Sequence, residues 1–207
     1  IVTGRRGKRG YLLKSRGHAG HAAFAGPKKC SAIHELAHKT LAFEALNNQQ
    51  KQHVINVGVV QGGIGPNTVA EHAFAEIDTR YITLNDGMDI HINIEKISNK
   101  SFIDGTSSTL EITSQRPPME ITDQNRLLYQ IFKEVGAKEN YHFIEELRSG
   151  VSDANTIGSL NVPVIDGLGP AGDCDHSDKE YMIKDSLPAK CRITVGAIEK
   201  LWETQPF

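Results

Sequence analysis

Residues 68–81, "TVAEHAFAEIDTRY", alternate so regularly that one local structure suits them. Side chains of an extended strand point to opposite faces in turn. Ala73, Ala75 and Ile77 therefore share one face, and His72, Phe74, Glu76, Asp78 and Arg80 the other. Such a strand is half buried, and the chain supplies two covers for its small-residue face. Residues 26–48, "GPKKCSAIHELAHKTLAFEALNN", open on Pro27, close on Asn47-Asn48, and carry Ile33, Leu36, Ala37 and Leu41 at helical spacing. Residues 87–100 carry Ile90, Ile94 and Ile97 in the same way. Further strands are expected over 9–19, over 53–60 with Ile55, Val57 and Val59 on one face, and over 109–115. The order strand, helix, strand, strand, helix, strand is a split β-α-β pattern. It predicts a four-stranded antiparallel sheet with two helices on one face. Edge strands and an open face suit pairing with a second copy of the chain.

The texture changes after "RPPME" (116–120), where two consecutive prolines cannot continue a central strand. A helix is expected over 122–136, packing Leu127, Leu128, Ile131, Phe132 and Val135. The loop "RSGVSDAN" (148–155), a buried-type strand in "VPVIDGLGP" (162–170), the tract "AGDCDHSDKEY" (171–181) and a closing helix over 187–203 follow. That helix carries Cys191, Val195, Ile198 and Trp202 at helical spacing. One good strand among helices is an incomplete α/β domain. The chain opens abruptly on "IVTGRRG", which reads like the middle of a longer polypeptide.

With 39% hydrophobic residues and a net charge of −2, the 207 residues hold enough apolar material for a core. They show no bias toward nucleic acid or membrane. No apolar run approaches the ~20 residues that cross a bilayer. Cys30, Cys174 and Cys191 are three and widely spaced, which argues against a disulfide framework and favours a reducing, cytoplasmic compartment.

Two tracts have the letters of metal chemistry. "HELAH" (34–38) spells the H-E-x-x-H of a zinc-protease helix, with Glu35 in the general-base position. A zinc site needs a third protein ligand, and the positions where the longer protease pattern wants Gly and His hold Leu41 and Glu44. The helix is already accounted for as the cover of a sheet, so His34 and His38 are expected on its exposed shoulder. "GPAGDCDHSDKEY" crowds Asp173, Asp175, His176, Asp178 and Glu180 behind a glycine-rich turn. It reads either as a metal-ligand segment with carboxylate support or as an acidic solvated loop. His18 and His21 lie in a Gly/Ala-rich bend, and Arg80 and Arg116 are candidates for clamping a carboxylate.

Taken together, "GHAGHAAFAGPKKCSAI", "VGVVQGGIGPNTVAEHAFAEIDTRY", "SGVSDAN" and "VPVIDGLGPAGDCDHSDKEY" resemble the M20 metallopeptidases. These include glutamate carboxypeptidases, aminoacylases, acetylornithine deacetylases and succinyl-diaminopimelate desuccinylases. The resemblance implies an α/β catalytic domain holding two zinc ions, with cobalt or manganese as alternatives, and an inserted lid that makes a homodimer. On it, residues 1–7 end a catalytic-domain segment, 8–114 are the lid, and 115–207 are the carboxy-terminal part of an incomplete α/β zinc-peptidase domain. His176 matches a zinc ligand, and His21 matches the lid histidine that stabilises the oxyanion in the partner's site. Asn67 matches a substrate-contacting asparagine and Arg116 an arginine that holds the substrate's carboxylate. Gly150 and Ser152 match a loop lining that pocket, and Arg80 matches a recurrent strand arginine. The implied activity is cleavage of the amide of an N-acyl or peptidyl amino acid, a small substrate with a free carboxylate. The family's H-x-D ligand motif, bridging Asp and Glu-Glu pair all precede the lid. Glu145-Glu146 follows it and is not given their role, so the chain alone is expected to be inactive. A non-catalytic dimerising module is the alternative for a complete chain.

Overall fold

The computed structural model describes all residues 1–207. Its elements run β1 (Val2–Arg5), β2 (Gly7–Arg16), β3 (Gly20–His21), α1 (Ala32–Glu44), β4 (Val54–Gly62), β5 (Thr68–Val69), β6 (His72–Tyr81), α2 (Leu84–Asn99), β7 (Ser107–Arg116), α3 (Asp123–Lys138), β8 (Glu146–Arg148), α4 (Asp153–Gly158), β9 (Gly172–Asp173), β10 (Tyr181–Met182) and α5 (Ser186–Thr204). The chain divides into two compact units. One is Arg6–Pro118; the other joins Ile1–Arg5 to Met119–Phe207.

The first unit is the expected antiparallel four-stranded sheet, in the order β4-β6-β2-β7. Alternation in β6 is realised: Ala73, Ala75, Ile77 and Thr79 are buried beneath the helices. Tyr11, Leu13, Leu36, Phe43, Ile55, Ile90 and Ile94 complete that core. Both helices begin at side-chain caps. Ser31 Oγ accepts from His34 N and Thr83 Oγ1 from Asp86 N, each satisfying an amide that has no partner within its helix.

Three expectations for this unit need correction. The buried side of α1 carries Ala32, Glu35, Leu36, Lys39 and Phe43, while Ile33 and Leu41 are exposed. Apolar spacing misses this because Glu35 (0% exposed) and Lys39 (1%) form a buried i,i+4 ion pair at 3.2 Å. Glu35 Oε2 accepts from Phe102 N and Ile103 N, and Lys39 Nζ donates to Ser98 O and Ser108 Oγ. Those partners offset the cost of desolvating two charges. In β4 a bulge at Gly58 sets Val57 opposite Ile77 but Val59 opposite Glu76, so Val59 leaves the face of Ile55. Finally, the 68–81 run is interrupted at Ala70-Glu71, and its first two residues pair with β3 instead.

In the second unit β1 pairs in parallel with β8, and α3 and α5 pack together. Its core is Ile1, Tyr129, Ile131, Phe132, Ile193 and Ala197. Residues 162–170 form no strand; Asp166 alone bridges to Val2. A strand needs a neighbour along its length; β1 is only four residues long, its Arg5 end is bridged by Met119 rather than by 162–170, and Pro163 has no donor to offer. Ile131 and Phe132 are buried in α3 as expected, but Leu127 is exposed and Tyr129 points inward. α5 reverses the expectation: Ile193 and Ala197 are buried, whereas Cys191, Val195, Ile198 and Trp202 are exposed.

Candidate functional site

Gly17 sets the course of the histidine bend. A side chain there would run into Cys30 O and Ala32 N, and the close approach lets His18 N donate to Cys30 O at 2.9 Å. The chain then turns into β3, whose Gly20 and His21 stand opposite Val69 and Thr68 of β5. Ala22 N donates to Asn67 O at 2.9 Å, so His21 and Asn67, both exposed, are neighbours on one short ribbon. His21 Nδ1 accepts from Ala23 N at 3.2 Å. A nitrogen that accepts carries no proton, which leaves the proton of the neutral ring on Nε2. The ring also rests on Phe24, with 5.0 Å between centroids. His21 is thereby held as an outward-facing Nε2–H donor.

Arg80 and Arg116 lie on the four-stranded sheet instead. Both stand opposite Lys8, in β6 and β7 respectively, so three cations form one row across β6-β2-β7 on the uncovered face. Asp78 steadies the row, with its carboxylate 2.8 Å from Arg80 Nε and 3.4 Å from Lys8 Nζ. Lys8 was not singled out from sequence; its signal is register, which only strand pairing reveals. The row lies at the start of β2 and the His21 ribbon beyond its end at Arg16, eight residues later. At ~3.3 Å per residue that is ~26 Å. One copy does not bring His21 and Arg116 together.

In the second unit Gly150 and Ser152 belong to a knot centred on Asp166. Arg5 Nε donates to Asp166 Oδ2 at 2.9 Å and Arg5 Nη1 to Gly150 O at 2.7 Å. Ser152 Oγ donates to Asp166 Oδ2 at 2.6 Å, and Gly167 N donates to Oδ1 at 2.6 Å. Burial pushes the Asp166 carboxyl up, but the Ser152 hydroxyl, the Gly167 amide and the Arg5 guanidinium outweigh it and hold the pKa below its ordinary value. Ser152 also caps α4, accepting from Ala154 N while its own N–H donates to Asn155 Oδ1. Arg5 and Asp166 were missed because 161 residues separate them.

His176 is exposed in the turn joining β9 and β10, with a left-handed φ of 65° and its N–H donating to Glu180 Oε2 at 3.2 Å. No group of three or more His, Cys, Asp or Glu side chains converges on a metal position in this chain. The residues present therefore do not by themselves close a structural or catalytic zinc site, which takes three or four protein ligands. "HELAH" is separated by its own helix: His34 and His38 face out, and Glu35 faces the core. Glu145 accepts from Thr3 Oγ1, and Arg148 holds the Glu146 carboxyl below its usual range. No helix is long and apolar enough to cross a membrane.

Residues 3–106 match the M20 peptidase dimerisation domain. The fold is similar to that of the aminopeptidase PepT from Bacillus cereus ATCC 10987, with a TM-score of 0.78 and 20% identity over 97% of this chain and 53% of that one. A tripeptidase from Staphylococcus aureus subsp. aureus Mu50 gives 0.77 and 20% over the same shares, 97% and 53%. A hydantoinase/carbamoylase-family amidase from Burkholderia multivorans gives 0.62 and 18% over 95% and 48%. The chain thus spans about half the length of the solved structures it matches. No curated protein matches it.

Proposed function

The chain belongs to the M20 peptidase dimerisation-domain family, and on that premise we propose that Arg6–Pro118 is the dimerising lid of a zinc-dependent amidohydrolase. Its substrate is an N-acyl or peptidyl amino acid with a free carboxylate. The observation that carries this reading is the ~26 Å along β2 between the His21–Asn67 ribbon and the Lys8-Arg80-Arg116 row. A second copy overcomes that separation: His21 of one protomer donates its Nε2–H to the developing oxyanion in its partner's site, where Arg116 holds the carboxylate. Asn67 crosses with His21 and Arg80 supports the basic row; within the other unit, Arg5 and Asp166 stiffen the 150–152 main chain.

Copies meet along β4, an edge strand with exposed Val54 and Val60. The other edge, β7, is polar from Ser107 to Arg116 apart from Leu110 and Ile112, which makes it the poorer surface. His176 serves as one ligand of the zinc, or of cobalt or manganese in its place. A bound metal of this kind activates water. This chain by itself gathers no complete ligand set. The exposed Val195, Ile198 and Trp202 of α5 support further polypeptide covering that helix in the assembled catalytic domain. Three unpaired cysteines support a cytoplasmic setting.

Sedimentation equilibrium tests the dimer: the 207-residue chain should sediment as a dimer, and Val54→Lys with Val60→Lys as a monomer. A monomeric wild-type chain would overturn the reading. Site sharing is tested in the full-length enzyme by mixing two inactive variants, His21→Ala and Arg116→Ala. Random hybrids should restore roughly a quarter of wild-type activity; no recovery sinks the shared site. The 207-residue chain alone should hydrolyse no N-acyl amino acid.

A further inference from the structure

The exposed shoulder of α1 holds a pair of imidazoles already spaced for a metal. His34 and His38 stand one turn apart, with their Nε2 atoms 3.2 Å from each other and their ring centroids 4.9 Å apart. Two Zn–N bonds of ~2.05 Å meeting at a tetrahedral angle span ~3.3 Å between nitrogens. The two nitrogens are therefore at chelating separation. His38 is also held in place: the Phe102 ring stacks on it at 5.5 Å with a 5° interplanar angle, and Lys100 Nζ lies 4.6 Å from the centre of that phenyl ring. Glu35, which the motif would make a base, is turned into the core and committed to Lys39, Phe102 N and Ile103 N.

We propose that His34 and His38 form a two-histidine surface site for one divalent transition-metal ion, separate from His21 and His176. In the free protein a single N–H···N hydrogen bond joins the rings. On binding, both rings carry their protons on Nδ1 and present Nε2 lone pairs, and water fills the remaining positions on the metal. Imidazole donors select zinc, cobalt, nickel or copper over magnesium and calcium, which take oxygen ligands. Two protein ligands leave the ion exchangeable, so the site is neither a structural zinc nor a protease centre.

Isothermal titration of the 207-residue chain with zinc chloride, alongside circular dichroism to verify the fold, tests this directly. Wild type should take up one equivalent that His34→Ala and His38→Ala each lose and His176→Ala retains. Phe102→Ala should weaken that equivalent without abolishing it, and magnesium chloride should give no heat from it. With copper, electron paramagnetic resonance should show two nitrogen ligands in wild type and one in His38→Ala. Zinc uptake unchanged in both His34→Ala and His38→Ala, or lost only in His176→Ala, overturns the site.

Discussion

The helices of Arg6–Pro118 and those of the second unit treat their apolar residues differently. In the first unit α1 and α2 each lay one side on the sheet, and the charges α1 buries there meet partners: Glu35 Oε2 accepts from Phe102 N and Lys39 Nζ donates to Ser108 Oγ. In the second, α5 is apolar on two sides: Ile193 and Ala197 are buried, and Trp202 remains 80% exposed. A helix apolar on two sides has two surfaces to cover. Leu41 of α1 and Met88 of α2 are exposed too, so the contrast is one of degree: of these three helices only α5 leaves an apolar aromatic ring uncovered.

Substitutions can break or sharpen this contrast. The largest effect is expected from Glu35→Ala, which strands the Lys39 ammonium in the core. Burial already pushes the pKa of Lys39 down, and only Glu35 opposes it. Loss of ~3–5 kcal/mol in urea unfolding is expected, and Glu35→Met with Lys39→Met together should recover most of it. A Glu35→Ala cost near zero would mean that this core is not closed. Ile193→Ala should destabilise the second unit by about 3 kcal/mol, read as a shift in its own unfolding transition.

Asp166→Asn probes the knot around Arg5. The folded carboxyl titrates below its unfolded value, so its contribution is present above the unfolded pKa and is lost as pH falls through the folded one. Wild-type stability should drop across that acidic window, and the variant should show a shallower slope there. An identical slope would remove Asp166 from the account. The smallest effect is expected from Trp202→Ser: stability within ~0.5 kcal/mol of wild type, with less binding of a hydrophobic dye. A large destabilisation would show that the outer face of α5 is already packed.

Sequence periodicity was informative wherever a segment had a single buried side free of charged residues. β6 and the Ile90-Ile94 stripe of α2 are such segments, and their faces were read correctly. It erred on α1, where an ion pair occupies buried positions, and on α5, where two apolar stripes compete and spacing does not say which is inside. For the site, the Gly/Ala-rich bend drew attention to His18 and His21, and the family resemblance alone supplied Asn67 and the role expected of His21. Strand pairing made His21 and Asn67 neighbours, and a main-chain amide settled which ring nitrogen carries the proton. Lys8, Arg5 and Asp166 had no local signal, because register and long-range ion pairs are not properties of short segments.

"HELAH" shows the division most plainly. By itself the sequence determined that two imidazoles and a carboxylate lie on one helix, because 3.6 residues per turn leaves no other choice. Which way that helix faces was decided only by tertiary structure. The amides of Phe102 and Ile103 and the ammonium of Lys39 draw Glu35 inward, leaving His34 and His38 to solvent. The buried partners that satisfy a charge come from distant segments, and the fold brings them together.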